Sequence, residues 1–151
     1  MFRWALEAQT HAKVTPKEVW DTWSDVSSWP SWNTCLKTSS LEGEFVTGAA
    51  GKAKPAGGFS SPFVILSAEQ GKRFTSRTRF FGTKVIYSHY VAPWWDEKVR
   101  IVQRVEASGF FAPLLWLFLG RKWKKRLPES MKNFTAFVET KQGSTETAPS
   151  L

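Results

Sequence analysis

Val19-Trp20-Asp21-Thr22-Trp23-Ser24-Asp25-Val26-Ser27-Ser28-Trp29-Pro30-Ser31-Trp32-Asn33 holds four of the chain's nine tryptophans. Thr15-Pro16-Lys17-Glu18, just before it, reads as a helix start. Thr15 is placed to cap, Pro16 takes the first helical position where a missing N–H costs nothing, and Glu18 stands three residues after the cap. Val19, Trp20 and Trp23 then make one apolar stripe, which predicts a helix of about two turns. Asp25 is placed to cap a second short turn. That turn is expected to end at Trp29, because a residue before proline is pushed out of the helical region.

Upstream, residues 2–14 alternate. Phe2, Trp4, Leu6, Ala8, Ala12 and Val14 fall on one face, and Arg3, Glu7, Gln9, His11 and Lys13 fall on the other, as in a strand with one wet face. Far downstream, Gly109-Phe110-Phe111-Ala112-Pro113-Leu114-Leu115 leads into a long apolar-periodic segment. A strand, two small helices, a Trp-Pro-x-Trp-Asn exit and this late lead resemble the START-like, or helix-grip (SRPBCC), superfamily. Within it, the pattern is most similar to the polyketide cyclase/dehydrase branch. The likeness runs from about Trp4 to about Val138. It implies an α+β helix-grip fold: a curved antiparallel sheet of six to seven strands wrapped around a long C-terminal helix, with two short helices after the first strand. It also implies an internal cavity for a hydrophobic molecule, without naming the molecule, because one fold serves many functions.

Composition bounds the rest. At 151 residues the chain reads as one domain over 1–140, with a Gly/Ser/Thr/Pro-rich tail over 141–151 expected to be disordered. Aromatics make up 15% of the chain, and rings in that number either line a wide apolar cavity or fill a core. The single cysteine, Cys35, excludes an internal disulfide and suits a reducing compartment. No basic segment followed by an apolar run opens the chain, and the run Gly109–Gly120 is too short to span a bilayer. The expected location is the cytoplasm.

The body reads as an antiparallel meander. Strands are expected over Cys35–Leu41, within the glycine-rich stretch Gly48–Gly58, over Phe63–Ala68 and over Arg73–Phe80, then as a last hairpin, Lys84–Ala92 and Lys98–Ala107. Phosphate-cradling loops need glycines between a strand and a helix start. Gly48–Gly58 leads into another strand instead, so its glycines are assigned to bulges and turns. One long helix is expected from about Pro113 to Glu139. At about 100° per residue, Trp116, Trp123, Leu127, Met131, Phe134 and Val138 share the stripe gripped by the sheet.

Leu114, Leu115 and Phe118 fall on the opposite face, followed there by Arg121, Lys122 and Lys125. Neighbouring loops, a second subunit or a membrane surface could cover that greasy end. The net charge of +8 raises the expectation of an anionic partner. Nucleic acid is not expected: the one aromatic within the basic run Arg121–Arg126 is Trp123, which periodicity turns inward.

Metal and cofactor are not expected either, since the two histidines stand far apart and no ligand spacing is present. The concave face of the last hairpin is set by alternation. Val85, Tyr87, His89 and Val91 lie opposite Val99, Ile101, Gln103 and Val105, leaving Tyr87, His89 and Gln103 as isolated polar groups in apolar surroundings. These three would orient a ligand's polar end, with His89 the candidate acid/base. The alternative is a core histidine satisfied by Tyr87 or a backbone carbonyl. Trp20, Trp32, Phe74, Phe80, Ile101, Trp116 and Trp123 complete the expected lining. Two functions remain open: a binding or carrier protein for a small hydrophobic molecule (lipid, polyketide or aromatic), or a cyclase/dehydratase-type enzyme using the same cavity.

Overall fold

Seven strands form one antiparallel sheet in the order β1-β7-β6-β5-β4-β3-β2, so the first strand closes against the last. The computed structural model describes residues 2–80 and 82–147. The strands are β1 (Phe2–Ala12), β2 (Leu36–Leu41), β3 (Ala50–Pro55), β4 (Ser61–Glu69), β5 (Arg73–Phe80), β6 (Thr83–Pro93) and β7 (Val99–Gly109). β3 forms inside the glycine-rich stretch, and Gly51 shows why. A Cβ there would stand 2.4 Å from the Ser40 carbonyl oxygen and 2.5 Å from the Phe63 ring.

Between β1 and β2 lie α1 (Pro16–Ser24), a 3₁₀ turn (Val26–Ser28) and α2 (Trp29–Trp32). The capping box is complete: the Glu18 amide donates to the Thr15 hydroxyl and the Thr15 amide to the Glu18 carboxylate. Two local expectations fail. Asp25 makes no side-chain cap, its carboxylate accepting instead from the Ser27 hydroxyl. Trp29 stays helical at φ −52° and ψ −41°, because Pro30 falls in the first turn of α2, where proline is tolerated.

The C-terminal helical run is less regular than its periodicity predicts. It consists of α3 (Ala112–Leu115), a five-residue π-helical segment (Trp116–Gly120) and α4 (Arg121–Thr147). α4 continues past Glu139 through much of the stretch expected to be a tail, since extending an existing helix fixes only one further residue per bond. Residues 148–151 lie outside the described residues.

α4 turns Leu127, Met131, Phe134 and Val138 into the core, all buried. Burial of each such side chain contributes about 1.5–3 kcal/mol. The resulting core is densely aromatic at the α1–α2 end. Phe134 stacks on Trp23 (5.8 Å between centroids) and takes Trp32 edge-on at 4.8 Å, while Trp29 stacks on both Phe63 and Phe74. A second, smaller cluster joins Val85, Val105, Ala107 and Leu127, with Trp4, Leu6, Tyr87, Leu115 and Trp123 half-buried around it.

Candidate functional site

The concave face of β5, β6 and β7 is built by strict alternation. Register pairs His89 with Gln103 on β7 and Phe74 on β5, and pairs Tyr87 with Val105 and Ser76. Every second residue of β7 from Val99 to Gly109 is buried. The polar set expected from sequence therefore does come together, and it is larger than expected. Ser76, Thr78 and Thr83 are buried on the same face. Ser76 and Thr78 share Phe74's alternation, and that signal was readable in the sequence; Thr83 lies just beyond the expected start of β6.

The electrostatics of this strip are neutral throughout. No Asp, Glu, Lys or Arg is buried among the described residues. The carboxylates Glu7 and Glu106 sit on the convex face with Arg104, and Glu106 also pairs with Arg3. Burial pushes the His89 imidazole down to about 3, so it is uncharged at neutral pH. Burial likewise pushes the Tyr87 phenol up, with Cys35 adding to the shift, so the hydroxyl keeps its proton. Cys35 is half-buried at the edge of this region, with an Arg126 guanidinium nitrogen 3.8 Å from its sulfur.

His89 is not satisfied by Tyr87 or by a carbonyl. Among the described residues its Nδ1 is buried without a hydrogen-bond partner, as are Thr83 Oγ1 and Trp32 Nε1. Phe74 lies flat on the imidazole at 4.2 Å and Trp23 meets it edge-on at 5.5 Å. An unsatisfied buried polar group costs about 1–3 kcal/mol, and two of these, His89 Nδ1 and Thr83 Oγ1, stand on one face of β6. Neutral donors and acceptors in an apolar wall can hold an uncharged carbonyl, hydroxyl or amide. As a general base, an imidazole with so low a pKa is far from the match to operating pH that proton transfer favours.

The remaining expected lining residues divide into three groups. Trp20, Trp32, Phe74 and Ile101 are buried, the three rings inside the aromatic cluster. Trp116 and Trp123 are only half-buried: Trp116 stands edge-on to Trp4 at 5.2 Å, and Trp123 lies 6.1 Å from Trp4 and 6.0 Å from Tyr87. The Phe80 side chain lies outside the described residues, although its backbone pairs with Thr83. Aromatics thus fill the α1–α2 end, and half-buried Trp123 borders Tyr87. An open groove of about 650 Å³ lies elsewhere, at the β6–β7 turn, lined by His11, Trp94, Trp95, Asp96 and Lys98. It shares no residue with the concave face, and Arg100 lies 5.8 Å over the Trp94 ring. Among the described residues, no cluster of His, Cys, Asp or Glu could hold a metal ion.

The model of the family "Polyketide cyclase / dehydrase and lipid transport" matches residues 3–139. The chain belongs to this family. No curated protein matches the chain. Solved structures share the family's helix-grip fold at low identity. Ara h 8.0201 superposes with a TM-score of 0.72 at 14% identity, covering 92% of this chain and 99% of that one. Norcoclaurine synthase from Thalictrum flavum, in complex with dopamine and hydroxybenzaldehyde, gives 0.70 at 9%, covering 92% and 88%. The di-domain ARO/CYC StfQ from the steffimycin biosynthetic pathway gives 0.75 at 12%; 93% of this chain corresponds to 52% of that protein. For this member of the cyclase/dehydrase and lipid transport family, such identities establish the fold alone. Among the described residues no helix is long and apolar enough to cross a membrane.

Proposed function

We propose that the protein binds and carries a small, largely apolar, uncharged molecule between the sheet and α4. Tyr87, His89 and Gln103 hold its polar end, and Trp123, Trp4 and Trp116 border its apolar body. The observation that carries this reading is the row of neutral polar groups, His89 Nδ1 and Thr83 Oγ1 among them without partners, set in an otherwise apolar face. The family description supports it by joining lipid transport to cyclase chemistry. A free Cys35 fits a carrier that works in a reducing compartment such as the cytoplasm.

A cyclase or dehydratase is the second reading. It is favoured by the Tyr87 and Ser76 hydroxyls paired in register beside His89, which could polarise a carbonyl. Binding ranks above it because no carboxylate is buried on the concave face among the described residues and His89 is neutral.

The test is native mass spectrometry of freshly purified protein, followed by analysis of the released small molecule and titration of an apolar fluorescent probe into wild type and Tyr87→Phe/Gln103→Leu. A co-purified uncharged molecule, or probe uptake weakened by the double variant, supports carriage. Protein that is empty and takes up no probe overturns it. Conversion of the released molecule by wild type but not by Tyr87→Phe would establish the enzyme instead.

A further inference from the structure

Of the three covers open to the greasy start of the last helix, the structure removes the simplest. Neighbouring loops do not cover it: Leu114, Leu117 and Phe118 are 50–63% exposed, and Phe110 and Phe111 beside them are 75% and 45% exposed. Leu115, expected on this outer side, instead packs into the smaller core cluster, and Leu117 takes its place outside.

We propose that this end of the molecule docks on an anionic lipid surface. The inference does not depend on what the concave face binds. Three observations carry it. First, the apolar groups are presented on an anchored platform. The Trp4 indole N–H donates to the Ala112 carbonyl at 2.8 Å, and the Trp116 ring lies so close over Gly120 that a Cβ there would meet it at 2.4 Å. Folding Trp116 back against Trp4 in this way leaves Leu117 and Phe118 outward.

Second, the charge beyond the apolar end is of one sign. Arg121, Lys122, Lys124, Lys125 and Arg126 are all exposed, and no acidic residue stands between Glu106 and Glu129. Among the described residues none of the five forms an ion pair, and Arg126 alone makes a side-chain hydrogen bond, to the Cys35 sulfur. Third, the zones are segregated lengthwise. Lys125 lies seven residues past Phe118, about 10 Å along the axis. With the apolar tip immersed to the depth usual for interfacial segments, about 5–10 Å, the cations stand at the level of the lipid phosphates.

A second copy of the chain fits less well, because a two-fold contact on this end would set the basic clusters against each other. Nucleic acid fits less well because single-strand binders interleave cations with stacking rings along a groove, and here they are separate zones.

The experiment is flotation of the full chain with phosphatidylcholine vesicles, with and without phosphatidylserine, at low and high salt. Expected is flotation only with phosphatidylserine, reversed by salt. Loss of affinity should be about tenfold or more in Lys122→Glu/Lys125→Glu and in Leu117→Glu/Phe118→Glu, with the circular dichroism spectrum of each unchanged. Leu117→Ala/Phe118→Ala, a milder pair, guards against misfolding and should weaken flotation to a lesser degree. Absence of flotation, or flotation equal in all variants, overturns the proposal. So does a wild-type dimer in sedimentation equilibrium that Leu117→Glu/Phe118→Glu converts to monomer without any vesicle binding.

Discussion

The His89 imidazole lies face to face on the Phe74 ring, centroids 4.2 Å apart and planes within 5°. The two residues are register partners on neighbouring strands, so the stack follows from the pairing of β5 with β6. Sealed in this way, a protonated imidazole would be denied the hydration it has in water, and its apolar surroundings would not replace it.

That burial has a pH signature. The folded pKa of about 3 is below the unfolded value of about 6.5, so the unfolded chain binds the proton more readily between those limits. Stability is therefore full above about pH 6.5 and falls as pH drops toward 3, by about 2 kcal/mol at pH 5 from this group alone. Urea midpoints at pH 7 and pH 5 should diverge in wild type and come closer together in His89→Gln. An equal divergence in the variant would assign the effect to other groups.

Phe134 joins α4 to the aromatic cluster through Trp23 and Trp32. Phe134→Ala should cost about 3–5 kcal/mol, the range for deleting a buried ring from a stiff core. Denaturant unfolding measures this. A cost under about 1 kcal/mol would mean that the cluster collapses to fill the space.

Gly120 is required by the Trp116 ring rather than by backbone conformation. Gly120→Ala places a Cβ 2.4 Å from that ring and should destabilise the protein by about 1–3 kcal/mol, with a change in near-ultraviolet dichroism as Trp116 moves off Trp4. An unchanged spectrum together with unchanged stability would show that the π segment readjusts freely.

Gln103 is 7% exposed, and among the described residues its side chain has no hydrogen-bond partner. Gln103→Leu should change stability by less than about 1 kcal/mol, since no side-chain hydrogen bond is lost and the amide is not among the buried polar atoms left without a partner. The same variant should weaken binding of a probe bearing a carbonyl or hydroxyl by about tenfold and leave a pure hydrocarbon probe unaffected. Equal loss for both probes would assign Gln103 a packing role.

Much of this was legible in the chain itself. The capping box at Thr15 and Glu18, the alternation of β1 and the last hairpin, and the inward placement of Tyr87, His89 and Gln103 rest on the period of two and on contacts within a few residues. Those signals are local, so one sequence carries them. The helical period held for Leu127, Met131, Phe134 and Val138, where α4 is regular. It failed across Trp116–Gly120, because a π segment has no marker in residue type and breaks the assumed 100° per residue.

What the sequence alone determined is the element order, the family pattern and the alternation that selects the concave face, since each depends on periodicity and short-range sterics. Tertiary structure decided which of those groups find partners. His89 meets Phe74 and Trp23 rather than a hydrogen-bond acceptor, the aromatics fill one end of the grip and border the other, and Leu117 with Phe118 stays uncovered. Those outcomes depend on distances between residues remote in the chain, and they arise only when the sheet, α1, α2 and α4 occupy the same volume.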